Sequence, residues 1–330
     1  MEKHIKVWTR AALALALFVL AAGAAARAQE TVTGTWTGSV GDERVGPKFG
    51  RRLAEKTGDE GEAPVEKKKD GLYLSLERNT EHGHNQMGQT FDFSQLQGIT
   101  REQANAGGPV RFALVREAGR VDLEGSFQNG KGSGTFTFTP SGAFAPAMKA
   151  RGFDFEKTNS WDERGEPQDR LFAAAMLNVT TALADDLLSA DFGKLDVDDL
   201  FKAAIFRVDS KFMREMKASG FPNLGMEELV KARIFKIDAD FVREAARLGF
   251  TNEPFESLVK MRIFKVTPAF VAEVRGEGLN NLGVEELVKL RIFNIDADFI
   301  RRARAEGVPL EVEALVQERI GVGRRNRSRP

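Results

Sequence analysis

The sequence predicts an α+β chain: a small antiparallel β-barrel or sandwich followed by an α-solenoid of helical hairpins. Two patterns carry this. Residues 31–139 alternate apolar and polar side chains with period two, and the C-terminal half repeats itself every 29 residues. A third observation bounds both halves: the chain has no cysteine, so no disulfide staples either of them.

The β module is read from the alternation. Val32, Gly34, Trp36, Gly38 and Val40 form one period-two run, and Leu72, Leu74 and Leu76 form a second. Phe91 and Phe93 suggest another strand. Val110 to Pro140 reads as three strands, with one turn near Ala118-Gly119 and a hairpin at Asn129-Gly130. About six short strands make a barrel or sandwich over residues 29–139. Residues 41–70 are rich in Gly, Pro, Lys and Glu and read as a mobile loop.

The repeat is read from fixed landmarks. Ile205, Ile234, Ile263 and Ile292 stand 29 residues apart, and each is followed by phenylalanine. The same step relates Leu200, Leu229, Leu258 and Leu287, then Phe212, Phe241, Phe270 and Phe299, then Gly220, Gly249, Gly278 and Gly307. Within a unit, Leu229, Val230, Arg233, Ile234 and Ile237 fall on one helical stripe expected to face inward. Asp238 and Thr267-Pro268 are N-cap signals for the second helix, and Gly249 is a C′ residue ending it. One hairpin buries only one face, so hairpins must stack on neighbours. A degenerate unit precedes the four full ones, with Leu171 and Met176 at landmark positions and Asp191 where glycine belongs. Leu315 and Arg319-Ile320 open a truncated unit. The solenoid thus spans 166–320 in about five units, preceded by a junction over 140–165 whose Phe144 to Phe153 segment resembles half a unit.

Residues 1–28 read as a signal peptide. Lys3, Lys6 and Arg10 precede the apolar run Ala11 to Ala22, and Ala26-Arg27-Ala28 offers a small-x-small cleavage pattern. The run is short of the ~20 residues that span a bilayer, and no later segment is apolar enough, so export to the periplasm or beyond is expected. The whole chain balances 48 basic against 48 acidic side chains. That balance lacks the electrostatic footprint of nucleic-acid binding. Residues 321–330, with four arginines, read as a disordered basic tail.

Candidate chemistry is sparse. His82 and His84 are a weak metal pair, with Glu81 or Asp92 as possible company, but the remaining His4 falls in the expected leader, so after export neither a third histidine nor a thiolate is at hand. No GxSxG elbow, HExxH or phosphate-binding loop occurs, so neither catalysis nor a cofactor is expected. The candidate partner-binding residues form two basic ladders: Lys231, Lys260 and Lys289, and Arg233, Arg262 and Arg291. Stacked units set equivalent residues side by side, as rows of donors for a protein or peptide partner. The competing readings are i,i+4 pairs within each helix (Glu227–Lys231, Glu256–Lys260, Glu285–Lys289) and arginine bonds to Asp238 or Asp296 across units.

Two resemblances add to this. Gly34-Thr35-Trp36 resembles the first strand of lipocalin-like barrels, which implies an apolar pocket for a small ligand. The unit ELVKxRIF-x-[IV]-[DT]-x-x-F, as in Glu228 to Phe241 and Glu286 to Phe299, resembles a helical repeat found beyond the peptidase domain of BlaR-type membrane metallopeptidases. Similar repeats follow a small β-module in secreted bacterial proteins, and the junction Phe136 to Phe144 is similar to theirs. The zinc-binding motif of such peptidases is missing, so no catalytic residue carries over. The resemblance implies a non-enzymatic accessory or sensing protein of the bacterial cell envelope.

Overall fold

The computed structural model describes residues 31–41, 71–80, 83–157, 166–191 and 193–322. The expected leader, almost all of loop 41–70, His82 and the tail from residue 323 lie outside them.

Seven strands form one antiparallel sheet that curls into a half-barrel. They are β1 (Val32–Val40), β2 (Gly71–Thr80), β3 (Gly83–Asp92), β4 (Leu96–Gln97), β5 (Gly108–Arg116), β6 (Gly119–Gln128) and β7 (Lys131–Pro140), in the order β3-β2-β1-β7-β6-β5-β4. The first and last strands pair at the centre, with Trp36 opposite Gly134 and Gly38 opposite Gly132. The expected turns at Ala118-Gly119 and Asn129-Gly130 are present. Asn129 and Gly130 both have positive φ (51° and 73°), as a two-residue hairpin with the sheet's own twist requires. The expected strand through Phe91 and Phe93 stops at Asp92, and Phe93–Gln95 makes a 3-10 turn into the two-residue β4. That turn, in which the Gln95 side-chain oxygen accepts the Asp92 backbone N–H at 3.2 Å, accounts for the seventh strand.

The curl has a local cause. Trp36, Gly134 and Gly125 lie in register across β1, β7 and β6. A Cβ on Gly134 would stand 1.9 Å from the Glu124 carbonyl oxygen, and one on Gly125 would stand 2.8 Å from the Trp36 ring. Only glycine lets the strands close over the indole. The ring is buried against Phe112 and Phe127, with centroids 5.4 and 5.5 Å away. Its Nε1–H donates to the Glu124 carbonyl at 3.0 Å, so the buried donor is satisfied.

Helix α1 (Arg101–Ala106), opened by a capping box between Thr100 and Gln103, packs beside β1, β6 and β7. Helix α2 (Phe144–Lys149) follows the sheet, and paired helices come next: α3 (Pro167–Leu177) and α4 (Thr181–Leu188), α5 (Val197–Phe206) and α6 (Ser210–Ala218), α7 (Met226–Ile234) and α8 (Ala239–Arg247). The chain continues through α9 (Phe255–Ile263) and α10 (Pro268–Gly276), α11 (Val284–Ile292) and α12 (Ala297–Ala305), and α13 (Val312–Arg319). Among the helices, α3 contacts α5, α5 contacts α7, α9 contacts α11 and α11 contacts α13, while α2 contacts α4, α4 contacts α6 and α10 contacts α12.

Each hairpin is closed by the chemistry expected of it. The side chains of Thr180, Asp209, Asp238, Thr267 and Asp296 each accept the backbone N–H three residues on, at the start of the even helix. Gly220, Gly249, Gly278 and Gly307 end those helices with φ of 100°, 97°, 94° and 78°. At the second of these ends, Gly249 N–H donates to Ala246 O and Phe250 N–H to Ala245 O, both at 3.0 Å, which is the Schellman pattern. Asp191, in the degenerate unit, takes the same left-handed conformation at φ 52°. The half-unit closes likewise, with Gly152 at φ 94° and Phe153 N–H bonded to Met148 O.

The inward stripe is shifted from the expected one. Met226, Leu229, Val230, Ala232 and Ile237 are buried, whereas Ile205 and Ile234 are only half-buried. Ile263 and Ile292 are 43% and 51% exposed. The isoleucine is the last residue of α7, α9 and α11 and the next to last of α5, and the chain turns into the cap just beyond it, so it reaches the edge of the core and not its middle.

Sheet and helices share one hydrophobic core. Helix α3 lies on β1, β6 and β7, with Phe172 stacked on Phe136 (centroids 5.3 Å, rings 7° from parallel) and tilted against Phe138. Arg78 of β2 pairs with Asp169, and Gln89 of β3 donates to the Met176 carbonyl. Buried Arg170 donates to Phe155 O at 2.8 Å, tying α3 to the junction.

Candidate interaction surface

The lysines and arginines of the two expected ladders each reach the neighbouring unit, and their partners differ from both readings of the sequence. Lys231 Nζ lies 2.8 Å from Glu256, Lys260 2.6 Å from Glu285, and Lys289 2.8 Å from Glu313. Lys202 pairs with Glu227 at 2.5 Å. The expected i,i+4 partners are thus engaged one unit down: Glu256 serves Lys231 and Glu285 serves Lys260. Each of these ion pairs runs from the lysine of one odd helix to the first-turn glutamate of the next. Burial pulls the Lys202 ammonium down, but Glu227 and Asp199 outweigh it and hold the group above its ordinary value. Each exposed pair is worth well under 1 kcal/mol or so.

The arginine ladder is a set of clamps. Arg233, Arg262, Arg291 and Arg319 stack on Phe212, Phe241, Phe270 and Phe299 of the preceding unit, with 3.8, 3.7, 4.9 and 5.0 Å from guanidinium carbon to ring centroid. The guanidinium also reaches the end of the preceding odd helix. Arg262 Nη2 donates to Lys236 O at 2.9 Å, and Arg291 Nε to Phe264 O and Arg319 Nε to Phe293 O, each at 3.0 Å. The expected bonds to Asp238 and Asp296 are replaced by these carbonyls, which a helix C-terminus leaves without an internal partner. Arg233 has Asp209 at 3.8 Å. Burial pushes the Arg233 guanidinium below its ordinary value, opposed chiefly by Asp209, and Arg262 is shifted the same way. One side chain therefore joins three helices, for example α7, α8 and α9 through Arg262.

A second row went unread in the sequence. Asn178, Arg207, Lys236, Lys265 and Asn294, again 29 residues apart, close the odd helices with φ between 49° and 56°. Ile237 N–H donates to Ala232 O at 2.8 Å and Lys236 N–H to Arg233 O at 3.3 Å, so each odd helix also ends in a Schellman cap. The signal was the asparagine at both ends of the row. In the middle, lysine and arginine hid it, because they seldom occupy the left-handed region.

Neither minor site gains support. His84 sits in β3 opposite Asn79, inside a strand and not between strands, and His82 lies outside the described residues. No group of three metal-ligating side chains occurs among the described residues. The hollow of the half-barrel, where a lipocalin-like pocket was expected, holds Trp36, Phe112, Phe127, Phe136 and Phe138, with Phe172 laid across. Burial raises the Asp199 carboxyl above its ordinary value, yet its oxygen accepts the Asp196 N–H at 3.0 Å in a capping box, which is a structural use. Among the described residues no single helix is long and apolar enough to cross a membrane.

Comparison with protein-family models, with curated proteins and with solved structures found no match.

Proposed function

We propose that this chain is an exported, non-catalytic interaction or sensing protein of the bacterial envelope. Its hairpins form an α-solenoid, and the outer surface of that stack holds a protein or peptide partner. One observation carries the reading: charged side chains at a 29-residue step fasten each odd helix to the next through the Lys–Glu pairs and the arginine clamps. Such ties favour a long surface of repeated composition, which is how stacked-repeat proteins bind.

The test is crosslinking of the full-length protein to envelope extract, beside a variant lacking residues 255–283. That deletion removes one repeat in register and leaves every remaining unit a neighbour of the same kind. Crosslinked species that weaken or vanish in the variant, with its helical circular dichroism intact, are expected. Species unchanged by the deletion overturn the reading.

A further inference from the structure

The sheet is open, and its two edges differ. One ends in β4, only two residues long, and β5 beside it starts at Gly108-Pro109 and carries an exposed Arg111. A short strand, a proline and a charge are the usual means of keeping an edge from pairing with another chain. The other edge is β3, ten residues long, with β2 its one neighbour in the sheet. From Asn85 to Phe91 it holds no proline and no charged side chain.

The ladder fixes which groups this edge presents. Gly71 O accepts the Gly41 N–H on the β1 side, and the Asp92 N–H turns to Gln95, so Gly71 and Asp92 face each other without exchanging bonds. Bonded and non-bonded positions alternate along an antiparallel pair. Thr90, Gly88, Gln86 and His84 therefore also aim their N–H and C=O away from β2. These four positions are symmetric about Met87. That residue stands opposite Leu76 and is half-buried at the rim of the core. Thr90 adds a buried hydroxyl with no hydrogen-bond partner among the described residues.

We propose that β3 pairs with β3 of a second copy of this chain, antiparallel about a two-fold axis at Met87, so that two sheets become one. The strand is its own complement there. Gln86 meets Gly88 and Asn85 meets Gln89, so no like charges stand opposite each other from Asn85 to Gln89. All four outward positions are used, in about eight backbone hydrogen bonds. Met87 meets its counterpart at a non-bonded pair, where Cα atoms stand about 4.5 Å apart, and each thioether covers the exposed half of the other. An unrelated extended peptide finds the same backbone bonds, but a copy brings the neutral strand and the central methionine with it. The proposal uses no residue of the helical repeats and goes beyond the interaction reading given above.

Sedimentation equilibrium of the full chain between about 1 and 300 µM measures the association, and hydrogen exchange in peptides covering β3 locates it. A strand-to-strand contact is small, so a dimer with Kd of about 10–100 µM is expected, with exchange in β3 slowing as concentration rises. T90P removes one outward N–H and the unpartnered hydroxyl while leaving the bonds to β2, and is expected to weaken the dimer about tenfold or more. N85K sets a charge into the seam at an exposed position, is expected to weaken it likewise, and decides the matter if proline disturbs the sheet. A chain that stays monomeric, or a dimer that keeps its affinity in both variants, overturns the proposal. So does exchange in β3 that is slow to the same degree at every concentration, which would mean that the chain covers its own edge. Slowing that appears only on adding envelope extract would assign the edge to a different protein and overturn the proposal equally.

Discussion

Alanine at two glycines of neighbouring repeats, at Gly249 and at Gly276, is expected to move stability in opposite directions. Gly249 holds φ 97°, and a Cβ there meets only the Arg275 Nη2 at 3.8 Å, so no collision is involved. The cost is the left-handed backbone itself, about 1–2 kcal/mol for an L side chain. Alanine also restricts the unfolded chain, which returns about 0.4–1 kcal/mol. The net is a loss of about 1 kcal/mol. Gly276 ends helix α10 without positive φ and has nothing within 4 Å of a built Cβ. There alanine gains helix propensity at no steric cost, and G276A should stabilise by about 0.5 kcal/mol. Urea denaturation followed by far-UV circular dichroism measures both, as shifts of the midpoint at constant slope. Equal stability of G249A and the parent, or two shifts of the same sign, would refute the placement of the hairpin boundary and the Schellman geometry that fixes Phe250 in the core.

The arginine clamp is tested by a double-mutant cycle on Arg262 and Phe241, which stand 3.7 Å apart from guanidinium carbon to ring centroid. R262M and F241L should show a coupling of about 0.5–1 kcal/mol, and additive effects would mean the stacking contributes nothing. Asp186 of α4 accepts the Ser210 hydroxyl at 2.6 Å and its backbone N–H at 2.8 Å, so it caps α6 from the neighbouring unit. Those bonds hold its carboxyl below the ordinary 3.8. A depressed carboxylate adds stability that is complete above its unfolded pKa and fades as pH falls through the lower folded value. Accordingly D186N should lower stability near neutral pH by about 1 kcal/mol, and the gap from the parent should narrow as pH falls below the ordinary carboxylate value of 3.8. A gap that persists in acid would show that the carboxylate charge is not what the cap requires.

Much of the framework was legible because it rests on local chemistry. The Asn129-Gly130 turn, the caps at Asp238 and Thr267 and the break at Gly249 each depend on a residue or two and their immediate backbone. What distance in space decides was not legible. Nothing within a single helix says that Lys231 will prefer Glu256 to Glu227, or that Arg262 will lie on Phe241, because both choices arise only when the next unit is in place. The spacing of 21 residues from Phe212, Phe241 and Phe270 to their arginines was present in the sequence, but period alone does not tell a contact from a coincidence. The isoleucines misled for a related reason. Their strict recurrence looked like core, while their place at the final helical residue set them on its rim.

The seating of Phe172 between the first repeat and the sheet gives the array a root. In the proposed α-solenoid a repeat elsewhere is gripped only by its neighbours, and one more spliced in near Val312 would move the far tip by about 10 Å. At Pro167 the same splice would draw an aromatic plug from the hollow beside Trp36 and flood it with water. Evolution is therefore free to adjust the reach of this molecule from one end only, and a load applied at that end is carried down the row of clamps to the stacked rings of Phe172 and Phe136.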